Sequence, residues 1–214
     1  MKICVASNNK NKIKQFGEIF ASCGIDAEFV TSGEIGFRDY PPEDADTFYG
    51  NSKIKADAVF AYIKENHKGE YAVIADDSGL IVDALDGAPG VKSARYASTN
   101  DVDDASDEDN NKKLISEMKR VLSENPDVPM TSRYKSVVYM IFPDGKAIFA
   151  DGTVEGLITF DGRGTNGFGY DPYFFVESFG KTLAELSSDE RNGISHRGNA
   201  IRNLVASAEF KKYF

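Results

Sequence analysis

The segment Ile74-Ala75-Asp76-Asp77-Ser78-Gly79 sets two adjacent carboxylates directly after an apolar run. Ala72-Val73-Ile74-Ala75 reads as a buried strand. The pair then stands at the strand's end, where ligand sites form in α/β sheets. Carboxylates there suit a hard divalent cation, which takes one or two protein carboxylates and completes its shell with substrate phosphates. They suit proton transfer equally well. An ordinary turn closed by an Asx hydrogen bond fits the same residues. Glu43 or Asp44, in the acidic loop Asp39–Asp46, can supply another metal ligand.

Four further segments can bind a ligand. Ser7-Asn8-Asn9-Lys10-Asn11-Lys12 lies between a strand and a helix. Free N–H groups at a helix N-terminus bind anions, and a Lys one turn in reaches a phosphate. A capped helix with solvated lysines gives the same pattern, and no Gly-Lys-Ser/Thr follows to make a Walker loop. Asn51 and Lys55 share one helix face at i,i+4 spacing, either to hold an oxyanion or as a polar face. In Gly162–Pro172, glycines permit close backbone approach to a ligand. There Phe168 and Tyr170 offer rings for base stacking, and Asp171 can accept from a purine N–H. A long flexible loop is the other reading. Ser195-His196-Arg197, preceded by Arg191, offers donors to a base carbonyl or a phosphate. His67 belongs to a surface loop, Asn66-His67-Lys68-Gly69.

The elements that must position these residues follow from apolar periodicity. Lys2–Ala6, Ala27–Thr31 and Tyr71–Ala75 read as strands. Ile13, Phe16, Ile19 and Phe20 recur at helical spacing, and Gly24 stops that helix. A long helix spans about Thr47–Lys64, and Ala88–Asp104 is a loop before a helix over Ala105–Leu122. The acidic run Asp101–Asp109 reads as a solvated loop and helix start, with no function assigned. Arg133–Phe142 and Lys146–Thr153 flank Pro143-Asp144-Gly145, a hairpin signal. Pro172–Val176 is a short strand, and Leu183–Phe214 is mostly helical with a break near Gly193 to His196. The whole is α/β with a mixed sheet.

A net charge of −9 argues against a nucleic-acid or anionic-membrane partner, since a basic surface would be needed. A polyanionic ligand then requires local cations, which makes individual Lys and Arg positions informative. Cys4 reads as a buried thiol in Ile3-Cys4-Val5, and with Cys23 it forms no zinc spacing or disulfide framework. No apolar stretch has the length of a signal peptide or a membrane span, so a cytoplasmic setting is expected.

Together these segments resemble the inosine-triphosphate pyrophosphatase family, also called the Ham1 or noncanonical purine NTP pyrophosphatase family. The resemblance runs over almost the whole chain. It rests on Ser7–Lys12, Thr47-Phe48 with Asn51 and Lys55-Ala56, and Ile74–Leu80. It continues through Gly87-Ala88-Pro89-Gly90 with Ser93-Ala94-Arg95-Tyr96, then Gly167–Pro172, and ends at Ile194–Gly198.

The resemblance implies an elongated mixed β-sheet flanked by helices, with two lobes around a central cleft (Ham1/Maf-like), in a single domain over 1–214. It implies hydrolysis of ITP, dITP and XTP to the monophosphate and pyrophosphate, which cleanses the nucleotide pool. It makes Asp77 the general base and a magnesium ligand, with Glu43 as the other metal carboxylate; Asp76, beside Asp77, is a secondary candidate at the metal, for positioning its water. Manganese is the alternative metal. Ser7, Asn8, Asn9, Lys10, Asn11, Lys12 and Lys55 become the triphosphate clamp, aided by Asn51, and Ser78 a substrate contact. Phe168, Gly169, Tyr170 and Asp171 become the base pocket, while His196 and Arg197 read the purine edge. A homodimer is implied as well.

The chain departs from the family's pattern at Gly50, where many relatives carry Glu, and at Gln15, a frequent Glu position. Arg191 replaces a common Lys, and Ser7 a usual Thr. Donors from His196 and Arg197 would pair with the purine 6-carbonyl and oppose the 6-amino group of adenine. Three other readings are weaker. A haloacid-dehalogenase-like phosphatase needs two Asp separated by one residue. Maf-like pyrophosphatases acting on pyrimidines fit the Phe168–Asp171 loop less well. A non-catalytic sensor leaves the Asp76-Asp77 pair without a purpose.

Overall fold

The computed structural model describes residues 1–67, 71–100 and 103–214, without the side chain of Asn11. The expectations for that side chain, for Lys68 and Gly69, and for the first two residues of the acidic run lie outside the described residues. The strands are β1 (Lys2–Val5), β2 (Glu28–Thr31), β3 (Ala72–Val82), β4 (Thr131–Ile141), β5 (Ala147–Ile158), β6 (Phe174–Val176) and β7 (Lys181–Thr182). The helices are α1 (Lys10–Ser22), α2 (Phe48–Asn66), α3 (Asp107–Glu124), α4 (Ser188–Ile194) and α5 (His196–Ala206).

The strands form one mixed sheet in the order β2-β1-β3-β4-β5-β6-β7, flanked by helices. β1 pairs in parallel with β2 and β3, with Ile3 opposite both Phe29 and Ala72. Parallel neighbours require crossovers, and α1 and α2 lie in those connections. The Asp-Gly hairpin is present: Gly145 N donates to Phe142 O at 2.8 Å, and Phe142 N to Lys146 O at 2.8 Å. β6 pairs antiparallel with β5 and β7. Among the described residues no helix is long and apolar enough to cross a membrane.

β3 corrects the sequence reading. It does not end at Ala75 but runs through Asp76-Asp77-Ser78-Gly79 to Val82. Leu80 and Val82 are fully buried and resume the alternation. The carboxylates therefore sit in mid-strand, and cations that the local sequence does not reveal make that tolerable.

The chain divides into two compact units, Met1–Asp77 with Ser136–Gly152 and His196–Phe214, and Ser78–Lys135 with Thr153–Ser195. In the first, strand alternation sorts side chains onto two faces. Ile3, Val5, Ala72, Ile74, Val138 and Met140 pack with Phe16 and Phe20 of α1 and with Ile201 and Leu204 of α5. Cys4, Val73, Ala75, Tyr139 and Ile141 pack with Ala56, Val59 and Ile63 of α2. Fully burying each large apolar side chain contributes about 1.5–3 kcal/mol. Burial pushes the Cys4 thiol up to about 12, with Glu34 adding to it, so it is an inert thiol.

In the second unit, Leu80, Val82, Leu114, Met118, Tyr134, Tyr170, Phe174 and Leu186 share one core. Ser106 caps α3 by accepting from Asp109 N at 3.1 Å. Asp107, Glu108 and Asp109 fill its first turn, where carboxylates favour the helix dipole. Ser195 separates α4 from α5, as the break expected near Gly193 to His196 requires.

Candidate active site

Asp76 continues the Ala72, Ile74 face of β3, towards α1 and α5, and is only 3% exposed. Arg197 Nε donates to its Oδ2 at 2.8 Å, and Lys12 Nζ to its Oδ1 at 3.1 Å. Burial alone would raise this carboxyl, but Arg197, Lys12 and Lys55 overcome it and hold it far below the usual carboxylate range. Arg197 Nη1 donates in turn to Gln15 Oε1 at 2.7 Å. The neutral amide of Gln15 thus serves where a second carboxylate would add charge. His196, the first residue of α5, is held down at about 3 by burial and then by Arg197, so its imidazole is neutral at pH 7.

Asp77 continues the Val73, Ala75 face, towards α2. Asn51 Nδ2 donates to its Oδ2 at 3.1 Å, and Lys55 Nζ lies 3.7 Å from its Oδ1. Lys55 Nζ also donates to Glu43 Oε2 at 2.6 Å. Glu43 rather than the exposed Asp44 therefore reaches the site. Asn51 Oδ1 accepts from Ala45 N at 3.0 Å, tying the acidic loop to α2. Gly50 permits that approach: a Cβ there would stand 2.5 Å from Ala45 Cβ. Burial lifts the Asp77 carboxyl, Lys55 opposes it, and Glu43 adds to it; the net shift is upward. Lys55 is pulled down by burial, yet Asp77, Glu43 and Asp76 keep it above its ordinary value and charged.

The segment before α1 folds on itself. Asn9 N donates to Ser7 Oγ at 3.1 Å, and Lys12 N to Asn9 Oδ1 at 3.3 Å, so Asn9 caps the helix. Asn8 Oδ1 accepts from Ser32 Oγ at 3.4 Å, while Asn8, Asn9 and Lys10 are exposed. Ser78, half-buried, follows Asp77 on β3.

The second unit carries the aromatic loop. Phe168 is 75% exposed. Tyr170 is not a stacking platform, as its ring lies in the core and its hydroxyl donates to Ser93 O at 2.8 Å. Phe168 N donates to Asp171 Oδ2 at 3.2 Å, and Arg191 Nη1 lies 3.7 Å from the same oxygen. Gly167 has φ +84°, and a Cβ on it would meet Asp171 Oδ2 at 2.0 Å and Arg191 Nη1 at 2.4 Å. Only glycine fits there. Burial lifts the Asp171 carboxyl to about 6 against the pull of Phe168 N, Arg191 and Tyr134.

Comparison with known proteins gives this arrangement its family. Residues 3–207 match the model of the Ham1 family. The chain belongs to the Ham1 family. It is 45% identical over 207 residues to the dITP/XTP pyrophosphatase of Listeria monocytogenes, covering 95% of this chain and 92% of that one. Among solved structures it resembles the Ham1 protein of Staphylococcus aureus at a TM-score of 0.80 and 38% identity, covering 99% of this chain and 100% of that one. The HAM1 protein of Coxiella burnetii matches at a TM-score of 0.82 and 32% identity, covering 95% and 96%.

In this Ham1-family chain the donor set fits a hard divalent ion at Glu43 and Asp77. Both carboxylates converge on the Lys55 ammonium, and burial lifts Asp77. Among the described residues no three His, Cys, Asp or Glu side chains form a protein-only cage. Two carboxylates completed by phosphate oxygens are the usual magnesium arrangement. Asp76 is different, because each of its oxygens already accepts from a cation.

Sequence reasoning missed Asp107, Asn111 and Tyr134. Asp107 Oδ2 accepts from Gly169 N at 2.7 Å, Asn111 Nδ2 donates to Gly169 O at 2.9 Å, and Tyr134 OH accepts from Tyr170 N at 3.2 Å. The i,i+4 spacing of Asp107 and Asn111 was the available signal for a shared helix face.

Proposed function

We propose that this chain hydrolyses dITP, XTP and ITP to the nucleoside monophosphate and pyrophosphate, and so clears these nucleotides from the pool. The observation that carries the reading is Asp77, a half-buried carboxylate held by Asn51 and flanked by Lys55 and Glu43. Asp77 takes the proton of the attacking water. Lys12, Lys55 and the N-terminal turn of α1, with Ser7, Asn8, Asn9, Lys10 and Asn11, hold the phosphates. Glu43 and Asp77 would hold magnesium, or manganese, which when bound polarises the phosphates and lowers the pKa of water. Asp76 leaves the metal set, because it anchors Lys12 and Arg197 instead.

Asp171, ionised above about pH 6, accepts the N1–H that hypoxanthine and xanthine carry. Adenine presents a lone pair at N1, and a carboxylate facing it is left unpaired, which discriminates strongly. Phe168 is the exposed ring for stacking. Neutral His196 with Arg197 donates to the 6-carbonyl, Arg191 supports Asp171, and Ser78 contacts substrate. The whole chain, 1–214, acts as one catalytic domain. A homodimer in a reducing, cytoplasmic setting completes the reading; the free thiols Cys4 and Cys23 support the setting.

The test is a nucleotide panel with magnesium, scored for monophosphate and pyrophosphate. Rapid pyrophosphate release from dITP and XTP, abolished by a chelator, is expected. Equal rates with dATP, or release of orthophosphate, would remove the assignment.

A further inference from the structure

The loop carrying Phe168–Asp171 is held by two other elements of its unit. From α3, Asp107 and Asn111 take the N–H and the carbonyl of Gly169. From β4, Tyr134 reaches the next two residues. Its hydroxyl accepts from Tyr170 N at 3.2 Å and hydrogen-bonds the Asp171 carboxyl. Tyr134 is 9% exposed, and its ring packs on Phe174 with centroids 4.9 Å apart, so the hydroxyl is fixed by core packing. A phenol has one proton. Having accepted from Tyr170 N, the hydroxyl gives that proton to the carboxylate, which can only accept. Tyr134 therefore joins the backbone of the aromatic loop to Asp171 through one oxygen.

We propose that Tyr134 is a positioning residue for purine recognition, whose hydroxyl holds the Asp171 carboxylate as the acceptor for the N1–H of hypoxanthine or xanthine. This rests on the proposed purine nucleotide pyrophosphatase activity. Among the described residues, Phe168 N in its own loop, Arg191 from α4, Tyr134 from β4 and Asp107 from α3 act on the carboxylate. The first three favour the charged form, while Asp107 and burial oppose it. Removing the Tyr134 hydroxyl takes away one of the favourable contacts and leaves the others in place.

The experiment measures kcat and KM for dITP from pH 5 to 9 in the parent, Tyr134→Phe, Asp171→Asn and the double variant, with thermal unfolding as the fold control. In Tyr134→Phe, KM should rise about tenfold with kcat changed about twofold at most, the size of one hydrogen bond to a charged group. The acid limb of kcat/KM should move to higher pH. In the Asp171→Asn background the Tyr134→Phe change should do nothing further, since Tyr134 acts through Asp171. If Tyr134→Phe does not fold, 3-fluorotyrosine at position 134 keeps the ring and strengthens the donor, and the acid limb must then move to lower pH. Unmoved limbs, or additive effects in the double variant, overturn the proposal while pyrophosphate release by the parent leaves the activity standing. A parent that releases no pyrophosphate from dITP removes both.

Discussion

Asp76 and Asp77 are consecutive residues of β3 that face opposite sides of the sheet. Asp76 is taken by Arg197 of α5 and Lys12 of α1, Asp77 by Asn51 and Lys55 of α2. Strand alternation thus turns one acidic pair into two environments of opposite effect. Paired with two cations, Asp76 is held strongly ionised; with burial dominant, Asp77 is lifted. Two carboxylates whose pKa values are pushed apart are suited to separate roles.

Asp77→Asn should fold as the parent does and lose activity. The amide keeps an acceptor for Asn51 but cannot take a proton. A fall in kcat of about a hundredfold or more is expected from loss of a general base. Pyrophosphate release, measured beside thermal unfolding, checks this. Near-parental turnover in a folded variant sinks the assignment.

Asp76→Ala should destabilise the protein by about 3–5 kcal/mol, because it strips the counter-charge from the buried Arg197. Replacing both Asp76 and Arg197 by Leu should recover much of that stability without recovering activity. Urea unfolding of the single and double variants decides the matter. A single variant within about 0.5 kcal/mol of the parent, the scale of a surface change, would show that the pair does not carry this weight.

Acid acts on stability through two half-buried groups of opposite sign. His196, held at about 3 when folded, takes a proton near its ordinary value of about 6.5 when unfolded. Its contribution is present above that value and falls as pH drops, at a limiting slope of about 1.4 kcal/mol per pH unit. Asp171, lifted to about 6 in the folded chain, binds a proton that the unfolded chain releases down to about 3.9, so acid adds stability across that window. The two slopes offset each other between about pH 6 and pH 4. Asp171→Asn should be more stable than the parent at pH 7.5, with the difference vanishing near pH 4 and a steeper acid decline. Urea titrations over that range test it; parallel curves for the two proteins would dismiss the lifted carboxyl.

Gly167→Ala should weaken substrate binding more than folding. The new methyl would collide with the Asp171 carboxylate and the Arg191 guanidinium at a φ of +84°. A stability loss of about 1–2 kcal/mol is expected from the backbone strain, together with a raised KM for dITP. Unchanged KM would mean that the Asp171–Arg191 pair takes no part in base recognition.

Much of the fold is legible in the sequence because its signals are local. The apolar run in β1, the helical spacing of Ile13, Phe16, Ile19 and Phe20, and the Asp144-Gly145 turn each lie within a few residues. The full run of β3 is not legible, because Asp76-Asp77-Ser78-Gly79 looks like a strand terminus. The neutralising cations come from Lys12 and Arg197, 64 and 121 residues away in sequence. Tyr170 reads as a stacking ring for a similar reason: a core tyrosine and an exposed one look alike until their neighbours are known.

The sequence by itself determined the residue types, their order and the family, since six short motifs at set spacings need no coordinates to be seen. That β3 continues through Asp76 and Asp77, and so turns them to opposite faces, is seen only in the folded chain. The tertiary structure decided which cation meets which carboxylate, that Glu43 and not Asp44 reaches Lys55, and that Tyr134, Asp107 and Asn111 hold the aromatic loop. The physical reason is range. Backbone preference and apolar periodicity act over one or two turns, whereas pKa values and side-chain aim are fixed by burial and by charges that only the folded chain brings within a few ångströms.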